Sequence, residues 1–174
     1  MLTKDNTQKV LEIFLIHPEQ KFHLRELARL TKLSVPGVRK IVGKLAKEDL
    51  VQVSKEKLVT NVSASRNEKF IAFKRAYNLY TLYTSGLLTF LKEQYEEPGA
   101  IVLFGSYSRG EDISTSDIDI AVVTRQSRSP DLAAFEKKLA RSIKLHEVQL
   151  SKAESEFLNT LANGIILYGY LGVA

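Results

Sequence analysis

The stretch AIVLFGSYSRGEDISTSDIDIAVV, residues 100–123, constrains this chain more than any other part of it. Residues 100–104 form an unbroken apolar run of strand type, followed at once by Gly105-Ser106. A second strand carries Asp117 and Asp119 among Ile118, Ile120, Val122 and Val123. Side chains alternate along a strand, so the two aspartates share one face while the isoleucines enter the core. Two carboxylates on one face repel, and such a pair persists where cations neutralise it. Oxygen-only ligands favour Mg²⁺ or Mn²⁺, and two ions bridged by the pair suit phosphoryl chemistry. Gly105 lets the backbone turn sharply and approach a ligand. Exposed N–H groups there, with the Ser106 hydroxyl, can hold phosphate oxygens. A short helix starting at Tyr107–Arg109 brings Arg109 toward the same phosphates.

This segment resembles the DNA polymerase β-like nucleotidyltransferases, in particular the minimal nucleotidyltransferases of bacteria and archaea. The likeness covers about residues 100–170 and is closest at Gly105-Ser106, Arg109-Gly110 and Ser116-Asp117-Ile118-Asp119-Ile120. The resemblance implies a small mixed β-sheet with flanking helices and two divalent ions, Mg²⁺ or Mn²⁺, held by the carboxylates. It also implies a nucleoside triphosphate donor, usually ATP, gripped at its β- and γ-phosphates by Gly105 and Ser106. Members carry a third carboxylate on a later strand, where it helps activate the attacking hydroxyl. After a helix predicted over 131–143, with Ser129 as N-cap and Pro130 in its first turn, the strand 145–150 holds a single carboxylate, Glu147. Glu147 is therefore the expected third catalytic and metal-binding residue beside Asp117 and Asp119. Two departures stand beside it: glutamate where aspartate is usual, and His146 where an apolar residue is usual. By alternation Glu147 shares a face with Leu145 and Gln149. The opposite assignment turns His146 toward the site as a phosphate contact or proton acceptor. Ser151-x-x-Glu154 reads as a capping box for a helix reaching 163, and residues 164–169 read as a last strand.

The first segment has another character. Three short helices are predicted, over 7–16, around Leu24–Ala28, and from the N-cap Ser34 through Val38, Ile41, Val42 and Leu45. Two β-favouring stretches, 50–54 and 58–62, follow. This order resembles a winged helix-turn-helix domain. Residues 1–66 hold thirteen Lys/Arg against seven Asp/Glu, whereas 67–100 hold four of each and 101–174 hold eight basic and nine acidic residues. The basic excess thus lies in the first third, which points to a polyanion partner, DNA or RNA. Arg39, Lys40, Lys44 and Lys47 on the third helix, with Lys55 and Lys57 at the ribbon tip, are the candidate phosphate contacts. A winged helix used for protein contact is the competing reading.

Between the two segments, residues 67–97 read as a helical connector broken at Ser85-Gly86 and rich in aromatic residues. Its aromatic stripe suits packing between domains or a homodimer contact. The expected architecture is therefore α+β: a winged helix-turn-helix over 1–66, the connector over 67–97 and a nucleotidyltransferase core over 98–174. The chain has no cysteine, which excludes disulfides, thiolate metal sites and thiol chemistry. The sequence shows neither a signal-peptide pattern nor a membrane-spanning run, so a cytoplasmic location is expected. The acceptor is open between three expectations. One is a partner protein, since some minimal nucleotidyltransferases act as antitoxins against a helical toxin. Another is a regulator that senses nucleotide with little or no turnover. The last is an RNA or small-molecule hydroxyl, disfavoured because no acceptor-binding domain follows the core as in larger relatives.

Overall fold

The computed structural model describes residues 5–56 and 59–172. The chain divides into two compact units, Met1–Lys74 and Arg75–Ala174. The division falls inside the segment read from sequence as a connector.

The first unit runs α1 (Asn6–Ile16), β1 (Lys21–His23), α2 (Leu24–Thr31), α3 (Val35–Lys47), β2 (Val51–Glu56) and β3 (Val59–Ala64). Local chemistry sets the helix starts. The Asp5 carboxylate accepts the Gln8 N–H at 2.7 Å, and the Gln8 side chain accepts the Asp5 N–H at 3.2 Å, a reciprocal cap for α1. Ser34 Oγ accepts the Gly37 N–H at 3.2 Å and opens α3, with Pro36 in the first turn. The turn between α2 and α3 begins at Lys32, in the left-handed region with a φ of 56°. The three strands pair antiparallel in the order β1-β3-β2. Three helices and this ribbon form the winged-helix arrangement, around a core that includes Val10, Phe14, Leu27, Val38 and Val62. The buried Lys74 ammonium donates to the Leu15 carbonyl at 2.6 Å, a cation at the carbonyl end of α1. Strand β1 was not visible in the sequence. Three residues carry no periodicity, and they become a strand only by pairing with β3.

Helix α4 (Glu68–Ser85) is followed in the second unit by α5 (Leu87–Gln94), β4 (Ala100–Phe104), α6 (Gly105–Arg109), β5 (Ile118–Val123), α7 (Ala133–Leu139), β6 (Ile143–Val148), α8 (Ser155–Ala162) and β7 (Ile165–Gly169). The break between α4 and α5 lies at Gly86, whose φ is 88°, and Ser85 Oγ accepts the Leu87 N–H at 3.0 Å. The sheet order is β6-β5-β4-β7, with β5 and β6 parallel and the other pairs antiparallel. One face of this sheet packs Ile101, Leu103, Ile118, Ile120 and Val122 with Leu82, Leu87, Leu91 and Tyr95. The other packs Val102, Phe104, Ala121 and Val148 with Leu161 and Phe157 of α8. The aromatic residues of α4 do not form one buried stripe: Phe70 is buried, whereas Phe73 and Tyr80 are half exposed.

Two local expectations are corrected here. Helix α7 starts at Ala133 rather than near residue 131, because Asp131 Oδ1 accepts the Ala133 N–H at 3.0 Å and ends the preceding loop. The Ser151–Glu154 capping box does not form. Residues Leu150–Lys152 make a 3₁₀ turn, and α8 opens at Ser155 after Glu154.

Candidate active site

Strand β5 fixes the centre of the site. Ile118 and Ile120 are fully buried on one face, which turns Asp119 to the other, and Asp117 stands just before the strand. Antiparallel pairing sets Asp119 opposite Phe104, the last residue of β4, so the Gly105 turn closes directly over the carboxylate. Gly105 has a φ of 73°, and a Cβ there would meet Asp119 Oδ2 at 2.3 Å. A side chain there would be strained by this dihedral angle and would push the Asp119 carboxylate aside. Ser106 lies half buried in the first turn of α6. Arg109 is exposed at the end of α6, and its Nε donates to Glu111 Oε2 at 2.7 Å. A cleft of about 320 Å³ adjoins the turn, lined by Gly105, Ser108 and Arg109 and by Asn159, Thr160 and Asn163 on and beside α8.

The parallel register of β5 and β6 decides what else faces the aspartates. Asp119 pairs with Lys144, Ala121 with His146, and Val122 with Glu147. Lys144 and His146 therefore share the face of Asp119, and Glu147 does not. Lys144 Nζ lies 2.6 Å from Asp117 Oδ2, and this hydrogen bond raises the lysine's pKa above its ordinary value. His146 sits between Phe104 and Phe157, with ring centroids at 5.2 Å and 5.9 Å. Its Nε2 is 3.9 Å from Asp119 Oδ1, too far for a hydrogen bond. That nitrogen is buried and has no hydrogen-bond partner among the described residues.

Glu147, expected to complete the acidic set, lies instead on the opposite face of the sheet. Its Oε1 accepts the Tyr95 hydroxyl at 2.7 Å and the Arg128 N–H at 2.5 Å, and its Oε2 accepts the Ser127 hydroxyl at 2.8 Å. Partial burial raises its pKa, but the Arg128 N–H and the two hydroxyls outweigh that and hold it below the usual value. Tyr95 is shifted upward in turn by burial and by this carboxylate. The alternation read from the sequence is present, since Glu147 does share its face with Leu145. That face is the one packed by α4 and α5, and Glu147 lies exposed at its edge. Among the described residues no three His, Asp or Glu side chains form a group able to hold a metal ion. The available oxygen donors are the two aspartates, separated by one residue at the start of β5. As hard oxygen ligands beside a glycine turn, they fit a hard divalent cation whose remaining ligands come from phosphate oxygens or water.

In the first unit, Arg39, Lys40, Lys44 and Lys47 are exposed on α3, opposite the buried Val38, Val42 and Leu45. Lys55 is exposed on β2, and Lys57 lies outside the described residues. The features missed in the sequence are Lys144 and the ring of donors around Glu147. A basic residue two positions before a histidine in a strand was the available signal, but only strand pairing gives it meaning.

A mixed four-stranded sheet sets the Asp119 carboxylate under a glycine turn, with Asp117 just before the same strand, in an α+β unit. Residues 85–167 match the family model described as a nucleotidyltransferase domain. Solved structures similar to the chain include Lactococcus lactis ZitR in its C30AH42A apo form, at 20% identity and a TM-score of 0.41, covering 52% of this chain and 69% of that one. The adhesin competence repressor AdcR of Streptococcus pyogenes is similar at 18% identity and a TM-score of 0.39, covering 50% and 66%. Likenesses this slight carry no functional weight. No curated protein matches the chain. No helix among the described residues is long and apolar enough to cross a membrane.

Proposed function

We propose that the chain is a metal-dependent nucleotidyltransferase that moves a nucleoside monophosphate, AMP from ATP, onto an acceptor hydroxyl. The observation that carries this reading is the seating of the Asp119 carboxylate against Gly105, which leaves a donor turn and an acid within one contact of each other. In this reading Gly105 and Ser106 hold the outer phosphates, Arg109 stands at the rim of the cleft, and Asp117 and Asp119 bind Mg²⁺ or Mn²⁺. The acceptor oxygen bonds to the α-phosphorus as its proton passes to solvent, the bond from the α-phosphorus to the bridging oxygen breaks, and pyrophosphate leaves. Bound divalent cations neutralise charge on the transferred group and acidify the acceptor. A protein hydroxyl is the proposed acceptor, with a helical partner protein as its bearer. The exposed cations of α3 and Lys55 are proposed to contact DNA or RNA phosphates.

A second reading is favoured by one observation. The strand expected to supply a third acid instead presents Lys144 and His146 to the aspartates. A site with two acids and two basic groups suits nucleotide binding with little turnover, in a regulator whose winged helix binds nucleic acid. Incubation with α-³²P-labelled ATP, Mg²⁺ or Mn²⁺ and cell lysate separates the two. Transfer of label to a macromolecule, lost in Asp117→Asn/Asp119→Asn, supports the enzyme. Tight nucleotide binding without labelled product supports the sensor.

A further inference from the structure

Among the described residues Lys144 makes the shortest contact that either aspartate has with a cationic group, and it does so on the face where a metal would sit. Its ammonium lies 2.6 Å from Asp117 Oδ2, while the lysine side chain is 62% exposed and that of Asp117 32% exposed. The head group is therefore held by charge and not by packing, on a flexible four-carbon stem that can leave at small cost. Register makes this placement unavoidable, since Lys144 is the direct partner of Asp119 on the neighbouring parallel strand. Among the described residues the cationic group recorded beside the other acid is more distant, His146 Nε2 lying 3.9 Å from Asp119 Oδ1.

We propose that Lys144 is a displaceable internal counter-ion that couples metal uptake to nucleotide binding. This inference rests on the reading that Asp117 and Asp119 bind a divalent cation. Without nucleotide, the ammonium occupies Asp117 and competes with the metal. A bound triphosphate offers that ammonium a stronger anionic partner beside the same turn. The lysine then moves to the phosphates, and Asp117 is freed for the cation. Metal and nucleotide thus promote each other's binding through one side chain, and by linkage the effect is the same in both directions. The lysine is a positioning residue in this scheme and takes no part in bond making.

The test is Mn²⁺ titration by calorimetry on the full chain, with and without α,β-methylene ATP, for wild type, Lys144→Met and Lys144→Arg. Removing one unit charge about 4 Å from a divalent ion in a solvated site changes its affinity by roughly five- to thirtyfold. Lys144→Met is expected to bind Mn²⁺ tighter by that factor without nucleotide. The enhancement that nucleotide gives to Mn²⁺ affinity should shrink by a similar factor. Lys144→Arg, which keeps the charge, should retain most of the wild-type enhancement. A static positive charge would instead weaken metal binding equally with and without nucleotide. So tighter Mn²⁺ binding in Lys144→Met with an unchanged enhancement overturns displacement while the metal reading stands. Unchanged Mn²⁺ affinity in Lys144→Met also overturns it. If neither wild type nor Lys144→Met takes up Mn²⁺ under either condition, the carboxylate pair is not a metal site and the inference falls with that reading.

Discussion

Gly105 is the residue on which the site is most narrowly built. Its φ of 73° already disfavours a side chain, and the would-be Cβ at 2.3 Å from Asp119 Oδ2 forces the acid to move. Gly105→Ala is expected to cost about 1–3 kcal/mol of stability in urea unfolding and to lower Mn²⁺ affinity at the same time. Asp117→Asn/Asp119→Asn should abolish Mn²⁺ binding by calorimetry. Relief of carboxylate repulsion alone would raise stability, but Asp117 is already partnered by Lys144. The two effects oppose each other, so the net change should stay within about 1 kcal/mol. For Glu147 the structure reverses the expectation drawn from sequence. With its carboxylate bound by Tyr95, Ser127 and Arg128 on the face away from Asp119, Glu147→Gln should leave metal affinity unchanged and cost about 1 kcal/mol in stability. Its effect on pH dependence has a definite sign. A folded pKa below the ordinary 4.5 means that the group's stabilisation is present above that value and lost as pH falls through the folded one. Wild type should therefore lose stability more steeply than Glu147→Gln on acidification below about pH 5, as equilibrium unfolding at a series of pH values will show.

At the scale of elements, a strand's pairing determines more of the chemistry than its composition. Strand β6 contains a lysine, a histidine and a glutamate at 144, 146 and 147. Its parallel ladder with β5 turns the first two to the face of Asp119, where Lys144 meets Asp117, and the last to Tyr95. A slip of one residue would exchange those roles. Helix α3 is the opposite case, because its period alone separates buried Val38, Val42 and Leu45 from exposed Arg39, Lys40 and Lys44. Charge reversal at Arg39, Lys40 and Lys44 together is expected to weaken DNA or RNA binding by at least tenfold at low salt. It should also flatten the dependence of log affinity on log salt by about 0.9 for each phosphate contact removed. Fluorescence anisotropy across a salt series measures both. No binding by the wild type at low ionic strength would leave the winged helix as a protein-contact module.

For the whole molecule, the two units carry different proposed ligands, and hydrogen exchange can assign each to its place. Mn²⁺ with α,β-methylene ATP is expected to slow exchange at β4, α6 and β5, and nucleic acid to slow exchange at α3 and β2. Protection confined to the other unit would contradict the assignment concerned. Much of this architecture was legible in the amino-acid order. The cap at Ser34, the break at Ser85-Gly86, the apolar strand 100–104, the glycine turn and the Asp-x-Asp strand are local statements, and short-range sterics and hydrogen bonding enforce them. Strand alternation was local too: Glu147 and Leu145 do share a face. What the sequence could not supply was which helices each face met, because period two is satisfied equally by either assignment. That choice was made by the burial of Ile118, Ile120 and Val122 against α4 and α5, and by the ladder that aligned β6 with them. Three residues at 21–23 became a strand, and a lysine became the neighbour of Asp117, for the same reason. Local order determines what each segment can be. Only contacts between segments distant in sequence, which set each sheet face against its own helices and aligned β6 with β5, decided which residues met.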